Sequence, residues 1–287
     1  MRAGIALVAL ALAGCATAME PPEPRLEPGL EMVNDRPFVP TLINGVAVSA
    51  LLDSAAEMTI IDDDLARRLQ LGTQGSATAH GSGAAAMEAR FAEGVDIGMG
   101  GVQLRGARIA ILDLGEVSQR LLGRPVEMIL GRDLFDAAPV LVDLEGRMAT
   151  ALSPGEPRRG VRLPLGEHRG IPTIPAEVEG HAAVQAVIDT GNGTEVMVGR
   201  AYAERIGLTA PERIVGRSLG GGLGGARERD IVVLRNLRVA GREFRDVRAA
   251  IDPGATASDL NIGTSILRHF VMTTDFPNGA VWLEPRE

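Results

Sequence analysis

The sequence contains no lysine, so all 29 of its basic residues are arginines, and the 37 acidic residues outnumber them. The formal net charge is −8 at pH 7. A nucleic-acid partner requires a basic footprint that balances its phosphates, and this acidic balance does not provide one. We therefore expect no nucleic acid among the partners.

Cysteine and aromatic residues are also scarce. Cys15 is the only cysteine, so no disulfide can form within the chain. Aromatic residues make up 3% of the chain, so the core has to be built from Val, Leu, Ile and Ala. The four histidines lack the spacing of zinc ligands and no H-E-x-x-H motif is present, so we expect neither a metal nor another cofactor.

The first residues have the features of an export signal. Arg2 precedes an apolar run over residues 5–12 that is too short to span a bilayer, which is typical of a signal peptide, here residues 1–18. Residues 12–15 resemble the lipobox of bacterial lipoproteins, in which Cys15 would carry the lipid; cleavage at the A-x-A-like site of residues 16–18 is the alternative. We expect a periplasmic protein that contacts the membrane only through that lipid, with a proline-rich tether over residues 19–36.

The rest of the chain repeats itself once. Residues 37–152 and 171–285 each show two strands around a tight turn, a polar loop with an aspartate, a short helix, a glycine-rich stretch, further strands and an apolar step that ends in glycine. The short helices are predicted at residues 65–71 and 201–208. Residues 153–170, rich in Pro and Gly, are predicted to be a linker. This pattern predicts an all-β fold of two homologous lobes, lobe one and lobe two, with pseudo-twofold symmetry and a cleft between them.

The equivalent polar loops and the later glycine steps carry the most specific motifs: Asp53-Ser54-Ala55, Asp189-Thr190-Gly191, Gly131 and Gly263. An Asp-Thr/Ser-Gly loop followed much later by an apolar-apolar-Gly step resembles the pepsin and retropepsin superfamily of aspartic proteases. The resemblance implies that Asp53 and Asp189 are a catalytic pair supported by Ser54 and Thr190, and that Arg132 braces Glu57 in lobe one. Ala55 departs from the pattern, which has glycine there; its Cβ costs little only if φ is negative.

Paired carboxylates suit this chemistry because two of them in hydrogen-bonding reach cannot both ionise cheaply, so they share one proton. One then acts as a base toward water and the other as an acid toward the peptide carbonyl. The resemblance therefore implies that the chain is an aspartic endopeptidase. The glycine-rich stretches predict flaps whose tips hold Gly81, Ser82 and Gly83 in lobe one and Gly220, Gly221 and Gly222 in lobe two. The expected partner is a peptide or protein substrate in extended conformation, and no further oligomer is required.

Three other interpretations are open. The same scaffold could bind peptides without cleaving them. Residues 216–220 match the G-x-S-x-G elbow of serine hydrolases, with Ser218 as nucleophile, Asp246 or Asp252, and His269, but the glycines that follow are a poor helix start. Residues 220–225 match a dinucleotide fingerprint by letter only, because a predicted strand and not a helix follows them.

Overall fold

The computed structural model describes residues 29–153 and 155–286 and contains two eight-stranded sheets. The sheet of lobe one has the order β1-β2-β3-β8-β4-β7-β6-β5. Its strands are β1 Glu31–Val33, β2 Arg36–Ile43, β3 Val46–Leu52, β4 Ile60–Asp62, β5 Ser76–His80, β6 Ala86–Met99, β7 Val102–Leu112 and β8 Met128–Leu130. Strands β3 and β8 run parallel, which sets the loop after β3 beside the end of β8.

The sheet of lobe two repeats this order strand for strand, as β12-β13-β14-β19-β15-β18-β17-β16. Its strands are β12 Gly166–His168, β13 Ile171–Val178, β14 His181–Ile188, β15 Val196–Gly199, β16 Ile214–Gly220, β17 Arg227–Val239, β18 Arg242–Asp252 and β19 Leu260–Ile262. Strands make up 53% of the structure and helices 14%. The all-β prediction with two homologous lobes is therefore confirmed.

A third sheet of five strands joins the lobes, in the order β10-β9-β20-β21-β11. It contains β9 Val140–Asp143 and β10 Met148–Ala151 from lobe one, β11 Val161–Pro164, and β20 Phe270–Asp275 and β21 Ala280–Pro285 from lobe two. Two predicted boundaries need correction, since β1 lies in the segment assigned to the tether, and β11 and β12 lie in the segment assigned to the linker. Both segments therefore end in strands that pair with the lobes.

The helices are short and connect the strands. They are α1 Asp63–Arg68, α2 Gly115–Leu122, α3 Arg132–Ala137, α4 Arg200–Arg205 and α5 Thr264–Leu267, with two 3₁₀ turns at Pro211–Arg213 and Phe276–Asn278. Helices α1 and α4 correspond to the two predicted helices and begin one or two residues earlier. Helix α1 is capped by Asp62, whose side chain accepts a hydrogen bond from the backbone nitrogen of Asp64.

One continuous apolar core lies under both sheets and is built mainly from Val, Leu, Ile and Ala, as the scarcity of aromatic residues requires. A second, smaller cluster lies in lobe one. Within residues 29–153 and 155–286, no helix has the length and apolar character needed to cross a membrane. The predicted signal peptide and Cys15 lie outside the described residues.

Candidate active site

Asp53 and Asp189 each follow the second strand of their lobe, where the sheet holds the backbone. The nitrogen of Asp53 donates to the carbonyl of Leu130 (2.9 Å), and that of Asp189 to the carbonyl of Ile262 (3.0 Å). Each aspartate is thus fixed to the apolar step that the sequence motif contains. The two carboxyl groups come from opposite lobes, are buried at the bottom of the cleft and are hydrogen-bonded to each other, although each aspartate as a whole residue keeps some exposure.

The hydroxyls of Ser54 and Thr190 cross between the lobes beneath the pair. Ser54 Oγ donates to the carbonyl of Ile188 (2.8 Å) and Thr190 Oγ1 to that of Leu52 (2.7 Å). In return, the nitrogen of Ser54 donates to Thr190 Oγ1 (3.0 Å) and the nitrogen of Thr190 to Ser54 Oγ (3.2 Å). Because all four bonds are buried, where an unpaired polar group is costly, they set the distance between the two loops.

The immediate surroundings of the two carboxylates differ. Asp53 Oδ1 accepts from the nitrogens of Ala55 (2.9 Å) and Ala56 (3.1 Å). Asp189 Oδ1 accepts from the nitrogen of Asn192 (3.0 Å), while its Oδ2 accepts from Asn261 Nδ2 at 2.6 Å. The side-chain donor on Asp189 has no counterpart in lobe one, where Ile129 occupies the equivalent place beside β3.

Burial and mutual proximity perturb both acids in the same direction. Burial raises the pKa of Asp53 to about 8, with a further increase from the charge of Asp189. Burial also raises the pKa of Asp189, but the hydrogen bonds from Asn261, Asn192 and Gly191 oppose that increase. The environment therefore favours a proton on Asp53 and a negative charge on Asp189.

The glycines and Ala55 of the motif have distinct reasons for their identity. Ala55 is not among the residues of the described chain with positive φ, so its Cβ causes no backbone strain. A Cβ at Gly191 would lie 2.5 Å from Asp53 Oδ2, so glycine is needed there for space. At Gly131 and Gly263 a Cβ would overlap the backbone of Met58 and Asn192, respectively.

The predicted brace between Arg132 and Glu57 is wrong. Arg132 is the first residue of helix α3, and its Nε lies 2.9 Å from Oδ2 of Asp136, one helical turn further on. The Arg132 guanidinium also donates to the carbonyl of Gly170. Glu57 is exposed and, within the described chain, forms no ion pair.

A different pair holds the first loop. Thr59 donates to Asp133 through its Oγ1 (2.8 Å) and its nitrogen (3.1 Å), and the same hydroxyl accepts from the nitrogen of Gly131 (3.2 Å). This pair was not predicted from the sequence, although Asp133 follows Arg132 directly. Arg36 was also missed: its side chain is 6% exposed and its Nε donates to the carbonyl of Gly191 at 3.0 Å.

The two predicted flaps meet above the pair. Residues 81–85 connect β5 to β6 and residues 221–226 connect β16 to β17, so the predicted glycines lie at these turns, with Gly220 closing β16. Gly83 N donates to the carbonyl of Leu223 (2.9 Å), and Gly222 N donates to Ser82 Oγ (2.8 Å). Such direct bonds between the tips correspond to a closed cleft.

Lobe one makes a further contact with the flap of lobe two, through an arginine that was not predicted from the sequence. Arg120 on helix α2 donates through Nη1 to the carbonyl of Gly221 (2.6 Å) and through Nη2 to that of Gly222 (2.8 Å). Its Nε pairs with Glu116 one turn earlier at 2.6 Å. Helix α2 was not predicted, and the one sequence signal for it is the Glu116–Arg120 spacing.

The rival motifs have no catalytic context. Ser218 lies inside strand β16, paired with Arg229 in the ladder, and not at a strand-to-helix turn, so the serine-hydrolase interpretation is wrong. Residues 220–225 form the flap turn and lead into strand β17, so they do not open a nucleotide-binding helix. His269 packs its ring against Phe244.

Comparison with known proteins agrees with this geometry. The comparison with curated proteins found no match. A family model described as aspartyl protease matches the chain twice, over residues 39–134 and 174–266. The two matches contain the two aspartates and fall on the two lobes. Because they span more than half of the chain, the protein belongs to the aspartyl protease family.

Proposed function

We propose that the protein is an active aspartic endopeptidase in which Asp53 and Asp189 activate a water molecule against a peptide bond. The observation that carries this proposal is that the two carboxyls meet between the lobes, hydrogen-bonded to each other, on loops that four buried bonds hold together. An acid pair that retains one proton near neutral pH is what general acid–base hydrolysis requires.

The two carboxyls have unequal roles in this reaction. Asp189, whose charge Asn261 stabilises, takes a proton from the water as its oxygen attacks the carbonyl carbon. Asp53 carries the shared proton and gives it to the carbonyl oxygen, which neutralises the developing oxyanion. The tetrahedral intermediate then collapses: the proton held by Asp189 passes to the leaving amine as the C–N bond breaks, and one of the two hydroxyls returns a proton to Asp53 as the new carbonyl forms, which restores the pair.

The substrate is proposed to be a peptide in extended conformation. Flaps from both lobes cover the cleft, so backbone groups of a substrate can be held on both sides of the scissile bond, which favours cleavage within a chain. Binding has to break the bonds between the tips, Gly83 to Leu223 and Gly222 to Ser82, and replace them with bonds to the peptide.

A peptide-cleavage assay tests the proposal. The chain without its first 28 residues is incubated with a mixed peptide library over a range of pH, and cleavage products are identified by mass spectrometry. Asp53→Asn and Asp189→Asn should each abolish cleavage, while Asp96→Asn, which changes an exposed carboxylate outside the cleft, should leave it intact. Saturable peptide binding without cleavage would instead identify a non-catalytic peptide-binding protein.

We also propose that the protein acts outside the cytoplasm of a bacterium, held by a lipid on Cys15, as the apolar run and lipobox-like residues 12–15 suggest. Radiolabelled palmitate incorporation tests this: the label should enter the wild-type chain and be lost in Cys15→Ser. A chain cleaved after Ala18 and released without label would support the soluble exported form.

A further inference from the structure

The identical strand order of the lobes allows their cleft walls to be compared position by position. In lobe one, nine buried apolar side chains form a small cluster apart from the main core: Phe38, Leu51, Ile60, Ala89, Ala110, Leu112, Leu114, Val126 and Ile129. Leu223, from the tip of the opposite flap, packs against it. The wall of lobe one is therefore suited to an apolar substrate side chain.

Several register-equivalent positions in lobe two are polar. Ile129 pairs with Ile60 in lobe one, and at the equivalent place in lobe two Asn261 pairs with Met197. In the same way, Leu112 pairs with Asp62 in lobe one and Asp252 pairs with Gly199 in lobe two. Phe91 pairs with Ala110 as Ile231 pairs with Ala250, so the buried residues two positions earlier, Ala89 and Arg229, are also equivalent. Three apolar residues of lobe one, Ala89, Leu112 and Ile129, thus correspond to Arg229, Asp252 and Asn261.

Arg229 is the most unusual of these residues because it is a buried cation without a charged partner. Its side chain is 5% exposed. Among the residues that the structure describes, it forms no ion pair, and its Nε is buried without a hydrogen-bond partner. Burying a guanidinium costs free energy unless a carboxylate and further hydrogen bonds compensate, so an arrangement of this kind points to a missing anionic partner.

The nearby acidic groups have other partners. Asp252 Oδ1 accepts from the nitrogen of Gly254 at 2.9 Å and lies 4.0 Å from Arg227 Nη1. Glu195 pairs with Arg248 at 3.0 Å. The remaining charges near Arg229, those of Arg227 and Arg120, are positive. Arg229 therefore has two acids and two arginines near it, and neither acid is committed to it as an ion-pair partner.

Arg229 is also positioned where a substrate would pass. Its Nη2 donates to the carbonyl of Ser82, at the tip of the flap from lobe one, at 3.1 Å. Its Nη1 occupies the space that a side chain at Gly220 would need. An opening of the flaps that moved Ser82 away from Arg229 would leave both Nε and Nη2 free to donate.

We propose that Arg229 forms a carboxylate-binding subsite in the wall of lobe two, so that preferred substrates present an acidic group there and an apolar side chain to lobe one. A carboxylate accepts two parallel hydrogen bonds from the Nε and Nη2 edge of a guanidinium, which matches the two donors released on opening. This inference rests on the proposed function, since it names the substrates of the same cleft.

A peptide series tests the subsite. Peptides with amidated C-termini carry Glu, Gln or Leu at one position at a time on either side of a fixed apolar residue, and kcat/KM is measured for each. On one side of the scissile bond, Glu should exceed Gln by about tenfold to a hundredfold, the range of a charge-assisted bidentate contact. A matching set with free C-termini and no acidic side chain shows whether the carboxylate can instead come from the chain end.

Arg229→Met should reduce the Glu to Gln ratio to about one while cleavage of the Leu peptide continues, and Arg229→Lys should retain part of the preference because it keeps the charge without the planar fork. The control Arg217→Met removes an exposed arginine of β16 and should leave the ratio unchanged. Equal rates for Glu and Gln in the wild type, or a ratio that survives Arg229→Met, would overturn the subsite.

Binding measurements separate failure of the subsite from failure of the proposed function. The affinities of the same peptides for the Asp53→Asn variant, determined by calorimetry, need no turnover. If no peptide is cleaved but Glu peptides bind more tightly in an Arg229-dependent manner, the subsite stands and the peptidase proposal fails. If peptides are cleaved and bound without regard to charge, the subsite fails alone.

Discussion

Replacing Asn261 by isoleucine, the residue at the equivalent place in lobe one, should move the acid limb of the pH–activity profile to higher pH. Asn261 Nδ2 donates to Asp189 Oδ2 at 2.6 Å, and its amide is oriented because Asn192 Nδ2 donates to Asn261 Oδ1 at 2.9 Å. The bond favours ionised Asp189, so its loss makes the first ionisation of the pair harder.

The size of the shift follows from the strength of the bond. A hydrogen bond to a charged group contributes about 1.5–3 kcal/mol, and one pKa unit corresponds to about 1.4 kcal/mol. Because Asn261 and Asp189 are only partly buried, solvent replaces some of the lost interaction. We therefore expect the acid limb to move up by about one unit. The alkaline limb should move much less. It reflects the second ionisation of the pair, that of Asp53, and Asp189 is already ionised before and after that step.

The assay is kcat/KM for one peptide between about pH 3 and pH 9, with carbon-13 titration of the aspartate carboxyls as a readout that needs no turnover. Ile129→Val is the matched control, since it changes the equivalent place in lobe one without touching a hydrogen bond. A uniform loss of activity at every pH would show that Asn261 only supports the fold. A shift of the acid limb to lower pH would contradict the reasoning directly.

Three further outcomes follow from the site. Gly191→Ala, which brings a Cβ to 2.5 Å from Asp53 Oδ2, should lower kcat by about a hundredfold, whereas Ala55→Gly should stay close to wild type in the same assay; equal effects would contradict this. Because folding raises the pKa of Asp53 from 3.8 to about 8, the native state holds a proton that the unfolded chain releases, so stability should fall as pH rises through this window. Urea unfolding at several pH values should show a weaker fall for Asp53→Asn, and an unchanged pH dependence would refute the assignment. Arg120→Ala should speed proteolytic cutting at residues 221–226 and raise KM, and cutting at the wild-type rate would show that Arg120 does not hold the flap.

The lobes and the aspartate pair could be predicted from the sequence because their signals are local and occur twice. Helices α1 and α4 overlap the predicted segments 65–71 and 201–208, and the repeated order of turn, strand and aspartate fixes which residues are equivalent. Duplication also supplies the geometric argument, since equivalent loops of two like lobes meet at the symmetry axis. The pairing of Asp53 with Asp189 needed no knowledge of any particular side-chain conformation.

The contacts that were predicted wrongly or not predicted depend on side-chain conformation and on pairing between strands that are far apart in the sequence. Whether Arg132 reaches Glu57 or Asp136 is decided by where helix α3 begins, and the helix places Asp136 one turn away on the same face. The five-stranded sheet pairs β9 with β20, which are far apart in the sequence, and strand pairing of that kind has no local signal. The hydrogen bonds from Arg120 to the opposite flap could not be predicted for the same reason, because their partners are far from Arg120 in the sequence.

Differences between the repeats proved more informative than their agreement. Two identical lobes would surround both carboxylates equally, and neither would have a preferred share of the proton. Here Asn261 in place of Ile129 stabilises charge on Asp189 alone, and Arg229 in place of Ala89 puts a cation in one wall alone. A symmetric dimer cannot make either change on one side only, because each substitution would appear in both subunits. Covalent joining of the lobes therefore permits a fixed assignment of acid and base. It also permits each lobe to select a different kind of substrate side chain.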